Sequence, residues 1–396
     1  MASTEQTTWW AIVWRQFTSR WSNRAAVAAI AGLVAAAIYA PVIASNQPFL
    51  WVDSDGVQLP WFRSLLFNRN VFDSGIDLFF NLLLVLSPFV AAHGLWFRRA
   101  LSRRSWWERD GAWARWFVVW LVLVVVVFIA VMSMSPRTAL PDWSQLEAAG
   151  AGRAWFAPLR VGYNDVLYGV DPGTHRQLLG IDSAGRDVFV RMLYGTRVSL
   201  SVGVIAVGIY LSIGIVLGAL AGYFGGAVDA GILRAIEIFL CFPALFLILT
   251  FISFLEQPSI VWVMVFIGLV GWTGPARLVR GEFLRLRNAD FVAAAKAQGL
   301  TNTRIIFRHV LPNALGPVLV NATFGVASAV LVESSLSFLG IGDRSLPSWG
   351  RILAVGRAMG DDRMMLIAGV AIFVTVSAFN LAGEGIRDAL DPRLRK

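Results

Sequence analysis

The sequence predicts an all-α polytopic membrane protein with about eight transmembrane helices. Of its 396 residues, 57% are hydrophobic and 15% charged, against roughly a quarter charged in an ordinary soluble domain. The apolar residues collect into unbroken runs of about 20 residues, the length that crosses ~30 Å of hydrocarbon. The arginines gather in short loops beside those runs, as expected for cytoplasmic loops. A transmembrane barrel would need short alternating segments, so helices are expected.

The runs lie near 25–45, 76–96, 115–134, 198–221, 233–255, 260–279, 314–336 and 363–383. Arg15, Arg20 and Arg24 precede the first, as in a signal peptide. Its apolar stretch is longer than the ~7–15 residues of such a peptide, so it is expected to stay as a first helix. The second and third runs are joined by "FRRALSRRSWWERDGAWAR", with six arginines against two acids. That loop, the N-terminus, the stretch 277–312 and the tail with Arg387, Arg393, Arg395 and Lys396 all fall on one side, the cytoplasmic one. Segments 46–75, about 135–197, "EQPS" and about 337–362 then face outward. Trp106 and Trp107 beside Arg103, Arg104 and Arg109 suit an anchor at the lipid interface.

Composition also excludes functions. Net charge is +9, but the basic residues flank spans, so membrane lipid is the expected partner and nucleic acid is not. The single cysteine, Cys241, rules out an intrachain disulfide. His93, His175 and His309 are far apart, and no joint metal site is expected. Neither Lys296 nor Lys396 follows a glycine, so there is no P-loop and no ATP hydrolysis by this chain. An intramembrane enzyme would need paired catalytic groups, whereas the spans offer mainly isolated Glu237 and Glu333. A secondary transporter is expected to show inverted repeats, and none is visible.

Several residues stand out. Asp182, Arg186, Asp187, Arg191 and Arg197 crowd the outer edge of the span starting near 198, as an ion-paired helix cap or an outer gate. Arg234 can pair with Glu237 at i, i+3. Glu333 and Pro243 are candidates for the translocation path, through a charge within a span and a kink.

The stretch "DFVAAAKAQGLTNTRIIFRHVLP", residues 290–312, is polar and cationic between two spans. Val292 to Gln298 favours helix, Gly299 ends it, and Thr301 or Asn302 can cap a second short helix holding Ile305, Ile306 and Phe307. Pro312 marks the start of the next span. Such a knob suits docking into a partner's groove. It equally suits a linker held on the membrane surface by Arg304 and Arg308. The residues alone leave both open.

This stretch resembles the signature loop of binding-protein-dependent ABC importer permeases. The matching positions are Ala293, Ala294, Ala295, Gly299, Leu311 and Pro312, with Ala293 standing where the family has glutamate. "GIDSAGRDVFVRMLYGTRVSLSVGV", "GYFGGAVD", "ESSLSFLGIGDRSLPSWGRIL" and "AFNLAGEGIRDALDPRLR" resemble the dipeptide and oligopeptide permeases of the peptide/nickel family, C-type subunit. The likeness covers 180–395 and the first helix, and fails across roughly 76–135.

The resemblance implies a type I ABC importer transmembrane fold with a first helix, a two-helix insert and a five-helix core. The expected divisions are a cytoplasmic N-terminus (1–24), first helix and outer loop (25–75), insert (76–134), extracytoplasmic loop (135–194), permease core (195–384) with coupling loop 290–312, and cytoplasmic tail (385–396). It implies ATP-driven peptide import across a bacterial inner membrane. The implied partners are a second permease subunit, two ATP-binding subunits and an extracytoplasmic solute-binding protein. No cofactor is expected on this chain, ATP and Mg belonging to the partner subunits.

Overall fold

The computed structural model describes residues 9–54, 56–68, 74–101, 106–134, 141–167, 177–256, 258–343 and 345–390. His175, Arg103, Arg104, Arg393, Arg395 and Lys396 lie outside these residues, as do the side chains of Trp106, Trp107 and Arg109.

In chain order the elements begin with α1 (Trp9–Phe17), α2 (Trp21–Ile43), β1 (Leu50–Asp53), β2 (Gly56–Gln58), α3 (Pro60–Phe67), α4 (Gly75–Leu101), α5 (Trp106–Met134), α6 (Trp143–Ala148) and β3 (Arg153–Trp155). They continue with α7 (Val188–Phe224), α8 (Gly226–Leu240), α9 (Ala244–Ser253), α10 (Ile260–Gly271), α11 (Thr273–Leu286), α12 (Asp290–Ala297) and α13 (Asn302–Ile305). A π-helical turn, Ile306–Val310, leads into α14 (Leu311–Phe338), followed by α15 (Trp349–Met359) and α16 (Asp362–Leu390). The chain divides into two units, 34–197 and 1–33 with 198–396.

In unit 34–197, α4 and α5 pack together, with Leu78 and Leu82 against Val131 and Leu66. Trp116 and Trp120 both donate their indole N–H to His93 Nδ1, at 3.2 and 2.9 Å. Not every element here is helical. β1 pairs antiparallel with β2 and with β3, so the strand order is β2-β1-β3. Trp51 anchors this sheet, and a Cβ on Gly152 would lie 2.5 Å from its ring.

In the other unit, Gly214, Gly218 and Gly222 form one stripe of α7 against α11. A Cβ on Gly218 would fall 2.5 Å from the Ala276 carbonyl oxygen, so only glycine permits this approach. α16 packs along α14 and α15, and α1 folds back onto its end. Gln16 Nε2 donates to the Asp388 carbonyl at 3.3 Å, and Arg20 pairs with the Asp388 carboxylate.

Among the described residues six helices are long and apolar enough to cross a membrane, or eight if each of two bent pairs is one span. The sequence suggested eight unbroken runs; the structure breaks two of them. The run 233–255 becomes α8 and α9, bent by 81°. Pro243 causes this break, because its ring fixes φ and it has no N–H for the helical ladder. The run 260–279 becomes α10 and α11, bent by 41° and extended to Leu286. The run 198–221 is instead a helix from Val188. Asp187 starts it early, its Oδ1 accepting from the Val190 N–H at 2.9 Å.

Candidate functional site

The stretch 290–312 folds as a knob with a buried base. α12 has Asp290 in its first turn and Lys296 in its last, both favourable to the helix dipole. Its inner face, Val292 and Ala295, enters one apolar cluster with Val279 and Phe283 of α11, Ile305 of α13 and Ala314 of α14. Its outer face presents Phe291, Ala293, Ala294 and Ala297.

Gly299 has φ +75°, a left-handed conformation that L side chains rarely adopt. The Leu300 N–H reaches the Ala295 carbonyl at 3.2 Å, and the Gly299 N–H reaches Lys296 at 2.9 Å. That double bond pattern is a Schellman turn, and Leu300 closes it by packing on the cluster. The six motif positions therefore divide: Ala293, Ala294, Gly299 and Pro312 are exposed, Leu311 is half-buried, and Ala295 is in the core.

The second half differs from the expected separate short helix. α13 runs through the π turn directly into α14, so 302–338 is one continuous helix. Thr301 occupies the cap position, but its side chain makes no cap bond. Asn302 Oδ1 instead accepts from Tyr223 Oη at 2.9 Å. Phe307 is 61% exposed.

The charged residues around the start of α7 form two separate groups. Asp182 Oδ2 takes the Arg186 guanidinium at 2.8 Å and lies 3.5 Å from Arg191. Asp182 Oδ1 accepts from the N–H groups of Ala184 and Arg186 at 2.9 and 3.0 Å. Burial alone would push the Asp182 carboxyl up, but these N–H groups and the Arg186 charge together hold it below the usual carboxylate range. Arg197 belongs elsewhere. It is wholly buried and donates to the Ala37 carbonyl at 2.7 Å and to Asn81 at 3.0 Å.

A cavity of about 350 Å³ runs beside α14. Asn321, Gly325, Ser328 and Val332 line it from one face of that helix, opposite Tyr210 of α7 and the ends of α9, α10 and α11. Ala244, the residue after Pro243, is part of the wall. Glu333 is not: it is fully buried away from the cavity, where Ser337 Oγ donates to its Oε1 at 2.6 Å. The sequence drew attention to Glu333 because it is charged. The quieter signal was Asn321 and Ser328, two polar residues seven apart in an apolar run and hence on one helix face. Arg234 and Glu237 pair at 2.7 Å on an exposed side of α8. Among the described residues no group of three His, Cys, Asp or Glu side chains could hold a metal ion.

Residues 214–396 match the family described as "Binding-protein-dependent transport system inner membrane component". The chain is 42% identical over 219 residues to the dipeptide transport system permease protein DppC of Alkalihalophilus pseudofirmus, covering 54% of this chain and 72% of that protein. It is 34% identical over 305 residues to the oligopeptide transport system permease protein OppC of Haemophilus influenzae, covering 74% and 91%. A solved structure of the inward-facing MetNI methionine ABC transporter overlaps with a TM-score of 0.43 at 20% identity, covering 52% of this chain and 97% of that one. With its long apolar helices and no ATP-binding motif, the chain belongs to the family of ABC importer permeases that includes DppC and OppC, as a multi-pass membrane subunit with no ATPase site of its own.

Proposed function

We propose that this chain is one permease subunit of an ATP-driven importer of dipeptides or oligopeptides, and that it takes up ATPase motion through residues 290–312. Peptide cargo is the function named for the similar DppC and OppC proteins. The single observation that supports the coupling role most is the shared cluster under α12. Val292 and Ala295 interlock there with α7, α11, α13 and α14, so a push on the exposed alanines is passed to spans rather than absorbed in a loop. Ala293 in place of glutamate removes one charge contact, and an exposed ion pair is worth under ~1 kcal/mol, so docking through shape remains.

In this reading the subunit sits in a bacterial inner membrane with both termini cytoplasmic. It pairs with a second permease, two ATP-binding subunits that hold ATP and Mg, and an extracytoplasmic solute-binding protein. Asp182, Arg186, Asp187 and Arg191 serve as the cap of α7 on the outer side. Pro243 serves the translocation path by setting the bend that brings Ala244 to the cavity.

The test is ATPase activity of the assembled complex in lipid, with binding protein and peptide. Gly299→Pro removes both the positive φ and the N–H bonded to Lys296, and is expected to leave the complex assembled but abolish peptide stimulation. Full stimulation in that variant, or failure of any ATPase to copurify with the wild type, would refute the coupling role.

A further inference from the structure

We infer that the cavity beside α14 binds peptide main chain, through neutral hydrogen-bonding groups that two helix breaks and two open side chains supply. This rests on the peptide-import reading and deepens it.

Among the described residues, nothing hydrogen-bonds the Asn321 amide or the Ser328 hydroxyl, and both line the cavity. Four hydroxyls elsewhere in the apolar helices behave differently, whereas Ser199 and Ser334 also make no hydrogen bond. Ser212, Thr250, Ser335 and Thr375 turn back onto the carbonyl four residues earlier at 2.7–2.8 Å. Ser328 has the same option and does not use it. A polar group left unsatisfied against lipid tails is costly, so these two groups await a polar occupant.

The backbone adds to them. Pro275 has no N–H for the carbonyl of Gly271, four residues before it, and both residues are in the wall. Ala244 opens α9 in the wake of Pro243, where the first N–H groups of a helix lack internal acceptors. Irregular backbone at membrane depth is tolerated where it lines a cavity. Gly274 is also in the wall, and a Cβ there would meet nothing within 4 Å.

Among the described residues the lining holds amide, hydroxyl and carbonyl groups and not one charged side chain. A charged group held inside the cavity would be left uncompensated. A lipid tail would leave the polar groups unsatisfied. Peptide main chain presents alternating neutral N–H and C=O groups and satisfies both conditions, whatever its side chains. The volume lies at the lower end of ligand pockets, which run from ~300 to ~1,000 Å³, so a short stretch of chain fits.

The test uses the assembled transporter in lipid, in a Cys241→Ser background because Cys241 is exposed. Asn321→Cys and Ser328→Cys are treated with a water-soluble thiosulfonate. Both are expected to react, and a saturating pentapeptide, long enough for its charged ends to lie outside the cavity, to slow the reaction at least fivefold. The same pentapeptide N-methylated at its amides is expected to protect far less. Asn321→Val and Ser328→Ala are each expected to raise the half-saturating peptide concentration roughly five- to tenfold, the effect of one lost hydrogen bond. Cysteines that do not react, or that react equally with and without peptide while uptake proceeds, overturn the inference alone. Equal protection by the N-methylated peptide overturns its main-chain part. A wild-type complex without peptide-dependent uptake overturns the import reading and this inference together.

Discussion

Arg197 Nη1 lies 3.4 Å from Asp77 Oδ1, with the arginine wholly buried. Asp77 is on α4, so that helix supplies the counter-charge for a guanidinium at the start of α7. Asn81, one turn along α4, accepts from the same nitrogen, and Phe80 places its ring 5.5 Å from the guanidinium carbon. α4 is thereby part of how the start of α7 is held.

Breaking such a pair leaves an uncompensated buried charge, which costs about 3–5 kcal/mol. Asp77→Leu is expected to lower sharply the temperature at which the purified protein stays monodisperse in detergent. Asp77→Leu combined with Arg197→Met should recover most of the loss. Deleting 76–134 should be tolerated better in the Arg197→Met background than alone. Equal damage in both backgrounds would mean that Asp77 and Arg197 are energetically independent.

The two faces of α12 separate docking from folding. Ala295 is 4% exposed and its neighbour Ala294 faces out. Ala295→Asp buries a charge and is expected to prevent accumulation of folded protein. Ala294→Asp should leave the protein folded and reduce copurification of the ATPase. Normal folding of Ala295→Asp would show that the cluster does not hold the knob.

The α7–α11 approach predicts a pair of glycine outcomes. Gly218→Ala places a methyl 2.5 Å from a backbone oxygen and is expected to destabilise by about 1–3 kcal/mol through overpacking. Gly208→Ala, on the same helix with nothing within 4 Å of its Cβ, should be neutral or slightly stabilising. Thermal melts of the two variants measure the contrast.

Asp182 gives a pH dependence. Its folded pKa is lowered, so its stabilising contribution is present above the unfolded value of about 3.9 and is lost as pH falls through the lower folded value. Melting temperature should drop on acidification below about pH 4, and Asp182→Asn should flatten that drop. An identical acid profile in both proteins would place the acid-sensitive group elsewhere.

Much of this arrangement was legible in the residues. The apolar runs located the spans, the break at Pro243 was visible as a proline inside one of them, and Gly299 marked its turn. Direction was not legible, because hydropathy registers that 233–255 is apolar and says nothing of an 81° bend. The sheet escaped notice because β1 and β3 are four and three residues long and pair across about a hundred positions. The same distance hid Asp77 from Arg197. Glu333 looked like the polar landmark of α14, yet in a helix apolar nearly all round only packing decides which residue meets the cavity.

The π turn at Ile306–Val310 has a mechanical consequence. A π turn holds one residue more than the α turn it replaces, so the helix from Asn302 to Phe338 contains slack. Returning that residue to α geometry rotates everything beyond it by about 100° without breaking the rod. Such a rotation would carry every residue of α14 with it, Asn321 and Ser328 at the cavity among them.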